Sequence, residues 1–549
     1  MLLALGFAQA TAAEPTPNAP NTLTPAEAAS GWRLLWDGRT ADGWRGAKEE
    51  GFPTAVWEMH DGVLSVLPAA AGTPWRGGDI VTRERFADFE LSVDFAVSPG
   101  ANSGIKYFVD AGPGQGSASS LGLEYQLIDD ERHPDAKQGR DGNRKLAAAY
   151  DLYPAATAGL ARPAGEWNTA RIVARRGRVE HWLNGVKVLA YERSGDSFRQ
   201  ASESSKYRKF AGFGQARDGH ILLQDHGDGV QFRNVKIRPA PTAGTAAGGH
   251  VVSVAGNEIR FDGKPVKLLG LRASNALMTE GTAQQLADNL EVFQSYGVNT
   301  ISVYVMGSRF GDVKGYRPDA TLDPVYAARL ARILTAADRR GMIVLVGCLY
   351  WSESEAKAGL GHWTQREANL AVANTVRWLA EKGFHHVIID PDNEGMANKD
   401  PQKKWGIAEM IDAGHAANPF AVLAYNARPA PPANADLTIH HAPRVPGKPY
   451  VETEGTPQVV PYWHEYSRRE GYKNYLNVGL YNEAMKAEQR RDTDAGMAND
   501  NGFMIASTWL QAAPPLGPNQ RPGGDGSAED PGIRWWLEYI QAHHAATPR

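Results

Sequence analysis

Hydrophobic and polar positions change their rhythm near residue 240. Before that point, short stretches alternate between apolar and polar residues, as in Phe89-Glu-Leu-Ser-Val-Asp-Phe95, Trp167-Asn-Thr-Ala-Arg-Ile-Val173, Arg178-Val-Glu-His-Trp-Leu183 and Val230-Gln-Phe-Arg-Asn-Val-Lys-Ile237. A period of two, cut by Asn-Gly and Asp-Gly turns, predicts antiparallel strands with one buried face. Asn184-Gly185, between two such runs, predicts a tight hairpin. After residue 249 short apolar runs alternate with stretches of helical period. The runs are Lys267–Leu271, Thr300–Val305, Met342–Cys348, His386–Asp390, Phe420–Tyr425, Leu437–His440, Tyr450–Thr453 and Phe503–Thr508. Helical spacing covers 282–296, 323–340, 364–382, 403–417 and 533–544. Pro-rich loops, without a helix, separate runs five and six and runs six and seven.

These patterns predict a multidomain chain, an all-β sandwich followed by an α/β barrel of the TIM (β/α)8 type. The divisions are 1–30 as a signal-like segment and tail, 31–238 as sandwich, 239–249 as linker and 250–549 as barrel. The linker is rich in Pro, Gly, Ala and Thr without apolar periodicity. A barrel lacking two outer helices, or a miscounted strand, stays open.

Composition narrows the functions. A net charge of −4 offers no basic face to nucleic acid. Beyond the N-terminus no run of about 18 apolar residues is present to span a membrane. The opening Met-Leu-Leu-Ala-Leu-Gly-Phe-Ala, with cleavage near Ala12–Ala13, suggests a secreted or periplasmic protein, although a basic leader is missing. The single Cys348 excludes an internal disulfide. No Gly-rich nucleotide fingerprint is present.

In the first half, Glu124 and Gln126 share a strand face, with Asp129, Asp130 and His133 beyond; His220, Gln224 and His226 form a second period-two row. Clusters of this kind are either a solvent-facing sheet or a site. Leu35-Trp-Asp-Gly, Trp57-Glu-Met-His-Asp-Gly, Gly100-Ala-Asn-Ser-Gly, Glu124-Tyr-Gln-Leu-Ile-Asp-Asp130, His181-Trp-Leu-Asn-Gly185 and Gly219-His-Ile-Leu-Leu-Gln-Asp-His-Gly227 occur in one order. Over 31–238 this half resembles the 3-keto-disaccharide hydrolase domain. The resemblance implies a jelly-roll of the laminarinase/concanavalin type with a sugar site on its concave face. It also implies, for some members, cleavage of 3-keto glycosides. A C3 ketone acidifies the C2 proton, and its removal expels the group on C1; this needs a base and a donor to the ketone oxygen. Glu124, Gln126, Asp129, His220, Gln224 and His226 are the candidates, and a divalent metal polarising the ketone stays open.

In the second half, Asn393-Glu394 ends the fourth run and Lys448-Pro-Tyr-Val-Glu-Thr-Glu-Gly455 the seventh. Barrel active sites lie at C-terminal strand ends, and retaining glycosidases use two facing carboxyl groups. The pattern resembles clan GH-A glycoside hydrolases such as family 5. Carried over, Glu394 is acid/base, Glu454 nucleophile and Asn393 a ligand of the hydroxyl beside the anomeric carbon. Trp509 would floor the subsite, His440 or His441 would flank the nucleophile, and the barrel would need no cofactor. Tyr304 and Ser302 stand where family 5 commonly has a strand-two arginine. Glu452 competes with Glu454 for the nucleophile's role; Asp390 and Asp392 compete with Glu394. Tyr350, Trp351, Trp363, Trp405 and Trp463 line subsites or simply pack. Three readings follow: a retaining glycosidase acting on an oligo- or polysaccharide, a sandwich acting on 3-keto glycosides, or a non-catalytic glycan-binding protein.

Overall fold

The computed structural model describes residues 19–68, 77–111, 121–243, 249–306, 313–350, 360, 363–395, 405–455, 483–506 and 533–544. The chain divides into two compact units, Met1–Ala240 and Pro241–Arg549.

The first unit holds two antiparallel sheets. One runs, in spatial order, Val186–Glu192, Arg178–Leu183, Asn168–Arg175, Phe89–Val97, Val230–Pro239, Val63–Val66 and Trp57–His60, with Arg33–Leu34 pairing onto Val230–Pro239. The other runs Trp44–Gly46, Ile80–Thr82, His220–Leu223, Asn102–Val109 and Leu123–Ile128. The expected hairpin forms: Leu183 faces Val186, and Asn184 and Gly185 take φ values of 50° and 84°. Positive φ at both turn residues matches the twist of the flanking strands. Phe89, Leu91, Val93 and Phe95 point alternately inward and join Phe232, Ile172, Tyr107 and Tyr125 in one core.

The polar face of the same strand also has a buried anchor. Glu90, 2% exposed, accepts from Arg171 Nε at 2.5 Å and Arg238 Nε at 2.9 Å. One carboxylate thus ties together three adjacent strands.

The second unit is built on a closed parallel barrel. Its eight strands are Leu268–Arg272, Thr300–Tyr304, Ile343–Leu349, Val387–Asp392, Val422–Tyr425, Leu437–Ile439, Tyr450–Gly455 and Gly502–Ile505, and the last pairs with the first. Helices Glu280–Ser295, Pro324–Asp338, Gln365–Glu381 and Ile407–Ala417 follow strands one to four. Helix Arg534–His543 follows strand eight. The links 426–436 and 440–449 carry no helix, as their Pro-rich sequence predicts. Between strands seven and eight lies a helix that periodicity missed, Glu483–Asn499. Its charged sequence has no continuous apolar stripe for such a reading to find.

A small sheet of Val252–Ala255, Glu258–Phe261 and Lys264–Pro265 places Val252, Val254 and Ile259 against Leu268, Ile343, Val422 and Leu437. Those four residues begin their strands, so the N-terminal end of the barrel is plugged with apolar side chains. Polar chemistry is left to the opposite end. Replacing Glu90 by Ala is expected to destabilise the sandwich by about 3–5 kcal/mol, because it strands two arginines in the interior; urea unfolding of wild type and variant measures it.

Candidate active site

The C-terminal ends of the barrel strands converge on one buried cation. Arg272, the last residue of strand one, is 0% exposed. Its guanidinium donates to Glu454 Oε2 at 2.7 Å, Asn393 Oδ1 at 2.9 Å and Ser274 Oγ at 3.0 Å. Its flat face lies over the rings of Tyr304 and Tyr350, 5.0 and 5.7 Å from their centroids. A buried guanidinium is tolerated when paired and hydrogen-bonded in this way.

Asn393 has its carbonyl oxygen occupied and therefore its orientation set. Besides Arg272, Tyr304 Oη donates to Asn393 Oδ1 at 3.0 Å and Asn426 Nδ2 approaches it at 3.4 Å. Asn426 Nδ2 also donates to Asp390 Oδ2 at 3.0 Å, and the single Tyr304 O–H is shared between Asn393 and that oxygen, 3.3 Å away. With three donors on its oxygen, Asn393 turns its NH2 toward Glu394, whose Oε1 lies 3.5 Å from Nδ2. Tyr304, a substrate-binding candidate from the sequence, is 1% exposed and holds Asn393 through its hydroxyl. Gly347 on strand three makes room for it: a Cβ there would lie 2.0 Å from the Tyr304 ring.

Glu394 follows strand four in a single tight turn, with φ 54° and ψ 20°. A non-glycine residue held in the left-handed region stores about 1–3 kcal/mol of strain, which is common where a side chain must be aimed. His441 Nε2 lies 3.1 Å from Glu394 Oε2. His440, also left-handed at φ 43°, places Nδ1 2.6 Å from Glu452 Oε1 and Nε2 3.6 Å from Glu454 Oε2. Glu452 is further held by Tyr450 Oη and by the backbone N–H of Glu454.

The two strand-seven glutamates thus have different surroundings. Burial opposes the charge on Glu452, but the bond and charge of His440 outweigh it, so its carboxyl is held below the usual range. Burial likewise opposes the charge on His440, yet Glu452, Glu454 and Glu394 together raise it to about 8. Glu454 is pushed up, first by burial and then by the charge of Glu394, with Arg272 pulling the other way. The charge of Glu394 thus reaches Glu454 and opposes its ionisation. Asp390 rises to about 6, chiefly by burial, against the bonds from Asn426 and Tyr304 and the charge of Arg272.

Other candidates fall elsewhere. Trp363 and Trp405 pack into the helix-strand core. Trp509, Trp351 and Trp463 lie outside the described residues. Two residues that periodicity did not single out are central, Arg272 and Asn426; Asp390, named beside Glu394 as a competing carboxylate, is bonded to Asn426 and Tyr304. Arg272 and Asn426 stand at or just past strand ends drawn too short or left unread.

In the sandwich, Glu124 is buried on the sheet face away from the core. Lys106 Nζ lies 3.8 Å from its Oε2 and Tyr207 Oη 3.5 Å. A Cβ on Gly104 would come within 2.4 Å of Glu124 Oε1, so glycine opens the space this carboxylate occupies. Lys206 lies over the rings of Tyr150 and Tyr207, 4.1 and 5.1 Å from their centroids. Burial, aided by Lys106 and opposed by Glu124, holds its amine below the usual range. Gln126 Nε2 donates to Asn102 Oδ1 at 3.2 Å.

The remaining sandwich candidates do not join this cluster as one row. The strand ends at Leu223 and is bulged between His220 and Leu222, so the period-two relation of His220, Gln224 and His226 breaks. Gln224 and His226 sit in the following loop, and His220 turns Nδ1 to the Glu84 carbonyl at 3.2 Å. Asp129 is committed to loop structure: it accepts from the N–H groups of Gly100, Glu131 and Arg132 and from the Arg132 guanidinium. Those bonds outweigh burial and hold its carboxyl below the usual range, a poor proton acceptor. Among the described residues, the group of three metal-ligand side chains close enough to share an ion lies in the barrel.

A sugar-sized polar cluster on a β-sandwich and paired carboxyl groups at a barrel mouth are features of carbohydrate-active enzymes. The comparisons specify the family. Residues 31–238 match the 3-keto-alpha-glucoside-1,2-lyase-like domain. A curated relative, the 3-keto-disaccharide hydrolase of Bacteroides thetaiotaomicron, is 35% identical over 230 residues, covering 38% of this chain and 79% of the relative. The chain belongs to this family. A crystal structure from Parabacteroides distasonis, provisionally assigned as a glycosyl hydrolase, is 30% identical with TM-score 0.36, covering 40% of this chain and 100% of its own. A family 5 glycoside hydrolase of Bacteroides vulgatus is 14% identical with TM-score 0.37, covering 53% of this chain and 68% of its own.

Asp390 gives a pH test of the barrel network. Its folded pKa lies above the ordinary value near 3.8, so its favourable contribution is present below about 4 and lost as pH rises through about 6. Asp390→Asn removes that titration. The stability of wild type relative to the variant is expected to fall between pH 4 and pH 7, as read from urea unfolding at each pH.

Proposed function

We propose that the barrel, of the (β/α)8 type, is a retaining glycoside hydrolase with Glu394 as acid/base and Glu454 as nucleophile. The supporting observation is the unequal setting of the two facing carboxyl groups. Glu454 is bonded to Arg272 at 2.7 Å and lies beside His440, whereas Glu394 has the imidazole of His441. The Arg272 guanidinium supports a negative charge on Glu454 against the burial and the Glu394 charge that raise its pKa, and we assign the proton to Glu394.

Glu394 then protonates the glycosidic oxygen while Glu454 attacks the anomeric carbon and the aglycone leaves. Glu394, now a carboxylate, takes a proton from the water that opens the glycosyl ester. The reaction requires the carboxyl groups about 5–5.5 Å apart once sugar is bound. Asn393, with its oxygen committed to three donors, offers N–H to the hydroxyl next to the anomeric carbon. That bond strengthens as positive charge develops at the ring. An oligo- or polysaccharide is the substrate, no cofactor takes part in the barrel, and export beyond the cytoplasm fits the N-terminal segment.

Family membership favours a second reading for the sandwich: cleavage of 3-keto glycosides at the Glu124 cluster. Glu124 would take the C2 proton, and the ammonium groups of Lys106 and Lys206 would polarise the ketone. A metal is an alternative polarising group there.

One assay separates the two. Aglycone release is measured from matched β-glycosides and 3-keto-β-glycosides, with wild type and Glu394→Gln. Loss of the general acid is expected to slow cleavage of ordinary glycosides by about 10²–10⁴-fold and leave keto substrates untouched. Activity confined to keto substrates and indifferent to the substitution would assign the chemistry to the sandwich alone.

A further inference from the structure

We propose that Glu394, His440 and His441 also form a binding site for a borderline divalent transition-metal ion, of the zinc class, that excludes the glycosidic oxygen and switches the barrel off. The three side chains bring ligand atoms to within 4.8 Å of one another. His441 Nε2 is 3.1 Å from Glu394 Oε2, and a second carboxylate, Glu454, lies 3.6 Å from His440 Nε2. The imidazoles are stacked, centroids 4.2 Å apart and planes at 29°, which keeps the two rings side by side.

The second, independent observation is what stands behind His440. Glu452 Oε1 holds its Nδ1 at 2.6 Å, and Glu452 is itself fixed by Tyr450 Oη and the N–H of Glu454. A carboxylate on the far nitrogen fixes the tautomer and turns Nε2 outward, the usual support for a metal-ligating imidazole. Two nitrogens with one or two carboxylate oxygens suit Zn²⁺ or Co²⁺; Mg²⁺ and Ca²⁺ prefer oxygen alone. Metal–ligand bonds of about 2.0–2.2 Å require the three part-buried groups to close in on the ion.

The consequence for catalysis rests on the retaining reading; the binding does not. A carboxylate bound to the ion has given up its proton and has none for the leaving oxygen. Hydrolysis stops with no bond to the sugar made or broken, and removal of the ion restores it.

The test uses the full chain, stripped of metal, and Co²⁺ as probe. Visible d–d absorption reports an N/O site and calorimetry with Zn²⁺ gives stoichiometry and affinity. Wild type is expected to show the band, and Glu452→Gln and His441→Gln to weaken binding by about 10–100-fold while far-UV circular dichroism stays unchanged. Absence of the band in wild type, or wild-type affinity in both variants, overturns the site. Aglycone release from a β-glycoside is then followed against Zn²⁺. Loss of activity at the calorimetric midpoint, reversed by chelator, supports the inhibitory role; full activity with Zn²⁺ bound overturns it. A barrel inactive without metal sinks the retaining reading yet leaves the Co²⁺ result standing.

Discussion

The mouth of the barrel is organised around the burial of one guanidinium. A fully buried arginine is unstable unless every neighbour is fitted to it. Strand seven supplies the counter-charge through Glu454, strand four an amide oxygen through Asn393, and the strand-one exit a hydroxyl through Ser274. Tyr304 and Tyr350 shield the flat face, and Gly347 exists to admit Tyr304. Asn426 and Asp390 extend the network one layer further and fix which end of Asn393 faces Glu394. Removing the arginine would free at once the charge state of Glu454 and the direction of Asn393.

This dependence explains why the two glutamates of strand seven are not interchangeable. They stand two residues apart, and strand periodicity alone gives no preference. Glu452 is consumed by His440, Tyr450 and a backbone N–H. Glu454 has Arg272 on one side and Glu394 on the other, so its charge is supported and contested together. A carboxylate saturated with donors is a weak nucleophile; one with a single strong partner keeps an oxygen for reaction.

Much of the architecture is written in local pattern. Period-two runs and the Asn184-Gly185 turn foretell the hairpin, and the Pro-rich links without helices are visible as such. Asn393, Glu394 and Glu454 were legible because polar residues following apolar strand runs have no packing reason to be there. Arg272 was not, since its strand was ended one residue early and its partners lie 121 and 182 residues away. No local window links them. The row His220, Gln224, His226 failed for the opposite reason: a regular pattern was trusted across a bulge and a strand end. Asp129 resembled a free carboxylate until its backbone donors were seen.

The two polar clusters solve different electrostatic problems. In the barrel, Glu394, Glu452, Glu454 and Asp390 outnumber the cations Arg272 and His440 around them, a setting that favours positive charge over negative. In the sandwich, Glu124 stands among Lys106, Lys206 and Tyr207, so donors surround a single carboxylate. An enolate formed beside a ketone is stabilised by such donors and an oxocarbenium ion is not. The two clusters thus differ in the balance of charge they bury, carboxylates prevailing in the barrel and cations standing beside the carboxylate in the sandwich.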